Sequence, residues 1–181
     1  MASKINIVNQ ALVRLGESAI TDYSLPVGNI IETVYDTVRQ NLLTSYRWRF
    51  AMKKVALTEA SGSPVNEWTK HFTLPSDMLL LVTTYPTSNY EVFEDKLLTN
   101  ASSVSVDYVF DPGEKKYPQY FVNALALEIA DAVCMPITND KTMKEIVKVE
   151  AETATRSARF KDASGRPPSA IQDRPFIDVR R

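Results

Sequence analysis

The sequence predicts an α+β domain: a mainly helical, four-helix core made of a helical hairpin and two C-terminal helices, with a small antiparallel β region inserted between them and an extended C-terminal tail. Three observations predict it. Apolar residues recur at steps of three and four in both outer thirds of the chain. The middle third changes to short β-branched and aromatic runs with a period near two. The last stretch, Asp162 to Arg181, holds Pro167, Pro168 and Pro175 and has no helical period. Residues 1–161 therefore form the domain, with the β insertion over about 51–111, and residues 162–181 form the arm.

The first helix starts at Ser3, a residue type that caps helix N-termini, and presents Ile5, Val8, Leu12 and Leu15 before Gly16 closes it. A polar connection, Glu17 to Leu25, leads to Pro26, which suits the first turn of a helix. From there Val27, Ile31, Val34, Val38 and Leu42 line one face, while Glu32, Asp36, Arg39 and Gln40 line the other. Two amphipathic helices in succession predict an αα-hairpin. Beyond Tyr46 the helical pattern breaks and extended chain begins.

Met52, Val55 and Leu57 start the β region, and Ser61-Gly62-Ser63-Pro64 is a loop by composition. Trp68 to Leu74 and Met78 to Tyr85 read as strands, stopped by Pro75 and Pro86. Tyr90, Val92 and Phe93 lead into a turn at Glu94-Asp95-Lys96. Val104, Val106, Tyr108 and Phe110 alternate with Ser105, Asp107 and Val109, predicting antiparallel strands with one wet face. Asp111-Pro112-Gly113-Glu114 is a turn. Pro118 opens a third helix with Phe121, Leu125, Ile129 and Ala132 on its core side and Pro136 ending it. Asp140 caps a fourth, over Lys141 to Phe160, whose narrow apolar stripe is Met143, Ile146, Val149, Ala151, Ala154 and Ala158. Small residues there would let another chain approach closely.

The composition bounds function mainly by exclusion. At 181 residues, with 44% hydrophobic and 24% charged residues, the chain fits one domain. A domain of this size buries roughly 70% of the surface its unfolded chain exposes. A formal charge of −1 argues against a dedicated nucleic-acid binder. The single cysteine, Cys134, cannot form an intrachain disulfide and reads as a small buried residue. The first ten residues lack the layout of a signal peptide. The longest apolar run, Met78 to Val82, is far short of the about 20 residues that span a bilayer. The expectation is a soluble protein without membrane contact.

No residue pattern demands chemistry. His71 is the only histidine, and no HExxH or CxxC spacing accompanies it, so no metal site is expected and a strand histidine exposing one edge is the simpler reading. Five glycines form no phosphate cradle, and no cofactor is expected. Glu128 with Asp131, and Glu91 with Glu94 and Asp95, are carboxylate groupings that could serve a hydrolase, but solvated helix or turn faces are the simpler reading of them. Tyr46-Arg47-Trp48-Arg49-Phe50 interleaves cations with aromatics. It reads as a helix end whose rings anchor the core while the arginines meet carboxylates. The arm combines Arg166, Arg174, Arg180 and Arg181 with Ile171, Phe176, Ile177 and Val179, a composition suited to ordering on a partner.

The order of these features carries a resemblance. Ile7-Val8-Asn9-Gln10-Ala11-Leu12-Val13-Arg14-Leu15-Gly16-Glu17 comes first, and a long helix ends in Ser45-Tyr46-Arg47-Trp48-Arg49-Phe50-Ala51. A strand runs into Phe72-Thr73-Leu74-Pro75-Ser76-Asp77-Met78-Leu79, and Tyr108-Val109-Phe110-Asp111 precedes the helix carrying Leu125-Ala126-Leu127-Glu128-Ile129-Ala130. Over roughly Ile5 to Arg159 this resembles the tail tubular protein A family, the head-to-tail adaptors of short-tailed bacteriophages.

The resemblance implies a structural virion protein without a catalytic centre, made in the host cytoplasm. Copies would form a dodecameric ring between the portal protein and the tail nozzle, with double-stranded DNA passing through the lumen. It implies a portal-binding arm, here Arg166, Pro167, Pro168, Ile171, Arg174, Phe176, Ile177, Val179, Arg180 and Arg181. It also implies subunit contacts, here expected at Ala151, Ala154, Ala158, Arg47 and Arg49. The alternatives are a head-completion connector of a long-tailed phage and a cell-wall hydrolase using Glu128 or Glu91.

Overall fold

A computed structural model of the chain describes residues 2–62, 64 and 67–165. The α+β architecture is as the sequence predicts: among the described residues there are four α-helices and two three-stranded antiparallel sheets.

The helices are α1 (Lys4–Arg14), α2 (Pro26–Thr44), α3 (Gln119–Thr138) and α4 (Lys141–Ser164). The organising element is α3. Phe121, Val122, Ala124, Leu125, Ala126, Leu127, Ile129, Ala130, Val133 and Cys134 are all buried. By length and composition alone α3 could cross a bilayer. Its apolarity is explained by its neighbours, because α1, α2 and α4 all pack on it.

The expected helical hairpin of α1 and α2 lays both of its helices against α3. They meet each other at the rim, where Lys4 Nζ is 3.8 Å from Glu32 and 4.9 Å from the centre of the Tyr35 ring. An amphipathic stripe buries more apolar area against a broadly apolar helix than against another stripe. The connection is fastened at both ends. Asn9 exchanges two hydrogen bonds with the Ile20 backbone, and Gly28 lets the Tyr23 backbone sit where a Cβ would collide, at 2.8 Å.

Facing residues differ in detail from the periodic reading. On α1 the buried set is Ile7, Val8, Ala11 and Leu12, with Ile5 half-buried. On α2, Tyr35 and Leu43 join Ile31 and Leu42 in the core. On α3, Val133 takes the place expected for Ala132, which is exposed. Pro136 does not end α3. The only bond it removes is to the carbonyl of Ala132, on the exposed side of the last turn, and the helix continues to Asn139 at φ 50°.

The rings of the central aromatic stretch anchor the core as expected, but among the described residues neither Arg47 nor Arg49 forms an ion pair with a carboxylate. Trp48 is fully buried, its indole N–H donates to the Leu42 carbonyl at 2.8 Å, and its ring meets Phe121 edge-on. Past a 3-10 turn at Arg49–Ala51 the chain enters β1 (Met52–Ala56). Strands β2 (Lys70–Thr73), β3 (Met78–Tyr85), β4 (Tyr90–Phe93), β5 (Lys96–Thr99) and β6 (Ser105–Phe110) follow.

The sheets have the orders β1-β6-β3 and β2-β5-β4. The expectation of one wet face fails at β6. Val109 enters the helical core, while Val106 and Tyr108 join Phe72, Leu74 and Leu97 in a second core between the sheets. Being central, β6 is covered on both faces. Asp107, on the Val109 face, is buried and pairs with Lys54 at 2.8 Å. His71, expected to expose an edge, is also buried, with Nε2 3.3 Å from the Ser61 carbonyl.

Candidate interaction surfaces

The fourth helix shows its polarity in an unexpected way. Its buried face is Val147, Ala151, Thr155, Ala158 and Asp162, at steps of four, four, three and four. Ala151 and Ala158, expected at a subunit contact, instead let α4 close on α3 of the same chain, and only Ala154 of the three keeps some exposure. Of the larger side chains in the expected stripe, Met143 packs against the core while the two β-branched ones face outward. Val149 is 63% exposed and Ile146 is exposed too, as is Phe160 at 75% on the same helix.

α4 also runs past the expected boundary at 161. Asp162 is only 4% exposed and is the latch of the helix end. Its Oδ1 accepts from the Tyr120 hydroxyl at 2.7 Å, and its Oδ2 accepts from the backbone N–H of Arg49 at 3.0 Å. Burial, and then this carboxylate, push the Tyr120 hydroxyl pKa up. The Arg49 guanidinium lies against Gly165, so the chain leaves α4 beside the start of β1. Arg47 and Arg49 are exposed at this corner. The ten residues expected to bind a portal, Arg166 to Arg181, lie outside the described residues.

A second latch holds α2 to the turn after β6. Arg39, expected on the solvated side, has its guanidinium 3.0 Å from Asp36, 2.9 Å from Asp111 and 3.1 Å from Glu114. The Tyr117 hydroxyl donates to Asp111 at 2.6 Å, and the Tyr35 hydroxyl to Glu114 at 3.4 Å. Burial raises both hydroxyl pKa values, and the acceptor carboxylates add to it. Such a network fixes one approach of α2 to the β region.

The candidate hydrolase acids have structural partners. Glu128 Oε1 accepts from the Thr155 hydroxyl at 2.8 Å, and Asp131 pairs with Lys144 at 2.7 Å. Both line a cleft of about 300 Å³ between α2, α3 and α4, with Arg159 and Ser45. Glu91 accepts from the Trp68 indole N–H at 2.9 Å on the surface of the second sheet. Among the described residues no group of three or more histidine, cysteine or acidic side chains could hold a metal ion. Cys134 is buried.

Exposed apolar residues are scattered over several elements, Leu25, Val55, Leu80, Tyr85, Ile146 and Phe160 among them, and two surfaces gather more than one of the others. One is a groove floored by Leu127 and Ala126 of α3 and walled by α1 and α4. Three adjoining hollows of about 330, 410 and 450 Å³ make it continuous, sharing Asn123, Leu127, Ala154 and Ser157. Val13, 64% exposed on α1, stands on one wall, and Val149 on the other. The second surface is β4. It is an edge strand whose four residues are all exposed, with Tyr90 and Val92 on one side and Phe93, 60% exposed, next to the turn residue Glu94 at φ 54°. Large exposed apolar residues gathered on an edge strand or in a groove mark contact sites.

No protein-family model matches the chain, and no curated protein is similar to it. The reading of function therefore rests on these surfaces. Sequence reasoning missed Phe160, which continues the exposed line of Ile146 and Val149, and missed Val13, which falls off the apolar stripe of α1. That misplacement was itself the available signal: a large apolar residue among polar positions of a helix has no core to enter.

Proposed function

We propose that this chain is a structural virion protein, a head-to-tail adaptor whose copies form a ring joining the portal to the tail, with DNA passing through the lumen. The observation that carries the reading is that Val13 and Val149 stand exposed in the α1–α4 groove while Tyr90, Val92 and Phe93 stand exposed on the β4 edge, two unlike surfaces of one chain. Unlike surfaces suit a head-to-tail contact between identical chains, and a head-to-tail contact that closes makes a ring. The order of sequence features shared with the tail tubular protein A family supports twelve copies, a portal on one side and a tail nozzle on the other. The arm, residues 166–181, lies outside the described residues, and we assign it to the portal on its composition.

The test is electron microscopy and native mass spectrometry of the full chain, alone and mixed with the portal protein of the same virion. Closed rings, alone or on the portal, are the expected outcome. A protein that stays monomeric in both conditions overturns the reading. Deleting residues 166–181 is expected to abolish portal binding and to leave the thermal transition unchanged.

A further inference from the structure

We infer that the contact between neighbouring copies is made by the β4–β5 hairpin of one copy seated in the α1–α4 groove of the next. This rests on the ring reading and names the surfaces that would build it. The hairpin carries three acids, Glu91, Glu94 and Asp95, against Lys96, and it presents Tyr90, Val92 and Phe93. The groove reverses that chemistry. Its lining holds Arg14 and Lys161 against one acid, Glu150, which lies 3.8 Å from Arg14, around an apolar floor.

The shapes agree with the charges. The turn at Glu94 places Phe93 at the tip of the β4 edge strand, on the side of the sheet away from β2, and the three hollows of the groove join one another. Seating Phe93 between Val13 and Val149 would cover large exposed side chains on both copies at once. The acids would then face Arg14 and Lys161 at the rim, where complementary charge sets register and speeds encounter. A second hairpin cannot occupy the same groove with favourable charge, nor can a groove face a groove. Passed on from copy to copy the contact is heterologous, whereas exchanged reciprocally between two copies it would close a two-fold dimer, so a disulfide product that stops at the dimer overturns the ring contact.

The experiment uses the full chain and two independent readouts. In the first, Glu94→Lys with Asp95→Lys, or Arg14→Glu with Lys161→Glu, is expected to raise the concentration for half-assembly about tenfold or more, because each change sets like charges against each other. Mixing the two variants restores both contacts, one with reversed and one with native charges, and yields assemblies in which the two variants alternate. In the second, Phe93→Cys with Val149→Cys in one chain is expected to give a ladder of disulfide-linked multimers under mild oxidation; the buried Cys134 takes no part. Circular dichroism of each variant confirms the fold. Rings that form with unchanged midpoint in both charge variants, and no ladder from the cysteine pair, overturn this contact and leave the ring standing. Absence of any assembly by the unaltered chain, with or without portal, overturns the ring and the contact together.

Discussion

The backbone N–H of Arg49 donates to the carboxylate of Asp162 at 3.0 Å, joining positions 113 residues apart. One buried acid thus ties the end of α4 to the entry into β1, and the Tyr120 hydroxyl takes its other oxygen. Asp162→Ala leaves two donors without an acceptor in a covered site. It is expected to cost about 1–3 kcal/mol, lowering the melting temperature by about 2–4 °C for each kcal/mol. Asp162→Asn keeps an acceptor and is expected to cost less. Thermal scans of the two variants decide it; equal, negligible shifts would show that the latch is not holding the corner.

Arg39 offers a parallel case with charges on both sides. Its removal strands Asp111 and Glu114 next to Tyr117 and Tyr35. Because the guanidinium is partly exposed, the cost of Arg39→Met is expected near 2 kcal/mol, below that of a fully buried pair. Arg39→Lys restores charge without the fork that reaches three carboxylates, and should recover only part of the loss. Urea midpoints for the three proteins measure the ordering.

Burial, assisted by the hydrogen bond to Asp77, pushes the Tyr108 hydroxyl up to about 12. Tyr35, Tyr117 and Tyr120 are pushed in the same direction, in each case chiefly by burial. A raised tyrosine pKa favours the neutral form in the fold. That stability is therefore complete below the unfolded value of about 10 and is lost as pH rises through the folded value. The urea midpoint should be flat from neutral pH to about 9 and fall above about 10. Tyrosinate absorbance of the native protein should lag that of the urea-unfolded chain over the same range. Coincident titration curves would contradict the buried hydroxyls.

The acid limb has the opposite sign. The hydrogen bond from Lys53, with that from the Tyr108 hydroxyl, holds the Asp77 carboxyl below the usual range. Its contribution is present above the unfolded value of about 4 and disappears as pH falls through the lower folded value. Asp77→Asn should remove that part of the acid dependence while leaving the alkaline fall in place. An unaltered acid limb in Asp77→Asn would assign it to other groups.

The two faces of α4 respond differently to size. Ala158→Leu puts a branched side chain where α4 touches α3 and is expected to cost about 1–3 kcal/mol by overpacking. Phe160→Ser, on the exposed side, should stay within about 0.5 kcal/mol. Stability measurements that rank the two in reverse would mean that α4 is rotated on its axis.

Those faces also show what could be read from sequence. Element positions follow from local chemistry, so Ser3, Pro26, Pro86, Pro118 and Asp140 mark boundaries that the structure keeps. Which face turns inward is decided elsewhere. On α4, Ile146 and Val149 are more apolar than Ala151, Thr155 and Ala158, yet the smaller set is buried, because a close approach to α3 selects for volume before hydrophobicity. The centrality of α3 was legible in residues such as Val122, Ala124, Ala126 and Leu127, which widen its apolar face beyond one stripe and leave Asn123, Glu128 and Asp131 on the polar side. Arg39 and Asp162 were not, since the partners that draw them inward lie far along the chain or, for Arg39, on another element. Strand β4 was legible as a strand, and its exposure was not, because nothing local says that an apolar run will end at a sheet edge.

The position of α3 in the chain has a consequence during synthesis. Its covering helices come from both ends of the sequence, α1 and α2 before it and α4 after it. A ribosome that has released residues as far as Thr138 therefore holds the most water-averse helix of the molecule with one flank bare. Nascent chains halted there should recruit trigger-factor-like holdases and form inclusion bodies, whereas release of the next two dozen residues, the length of α4, lets the flank close.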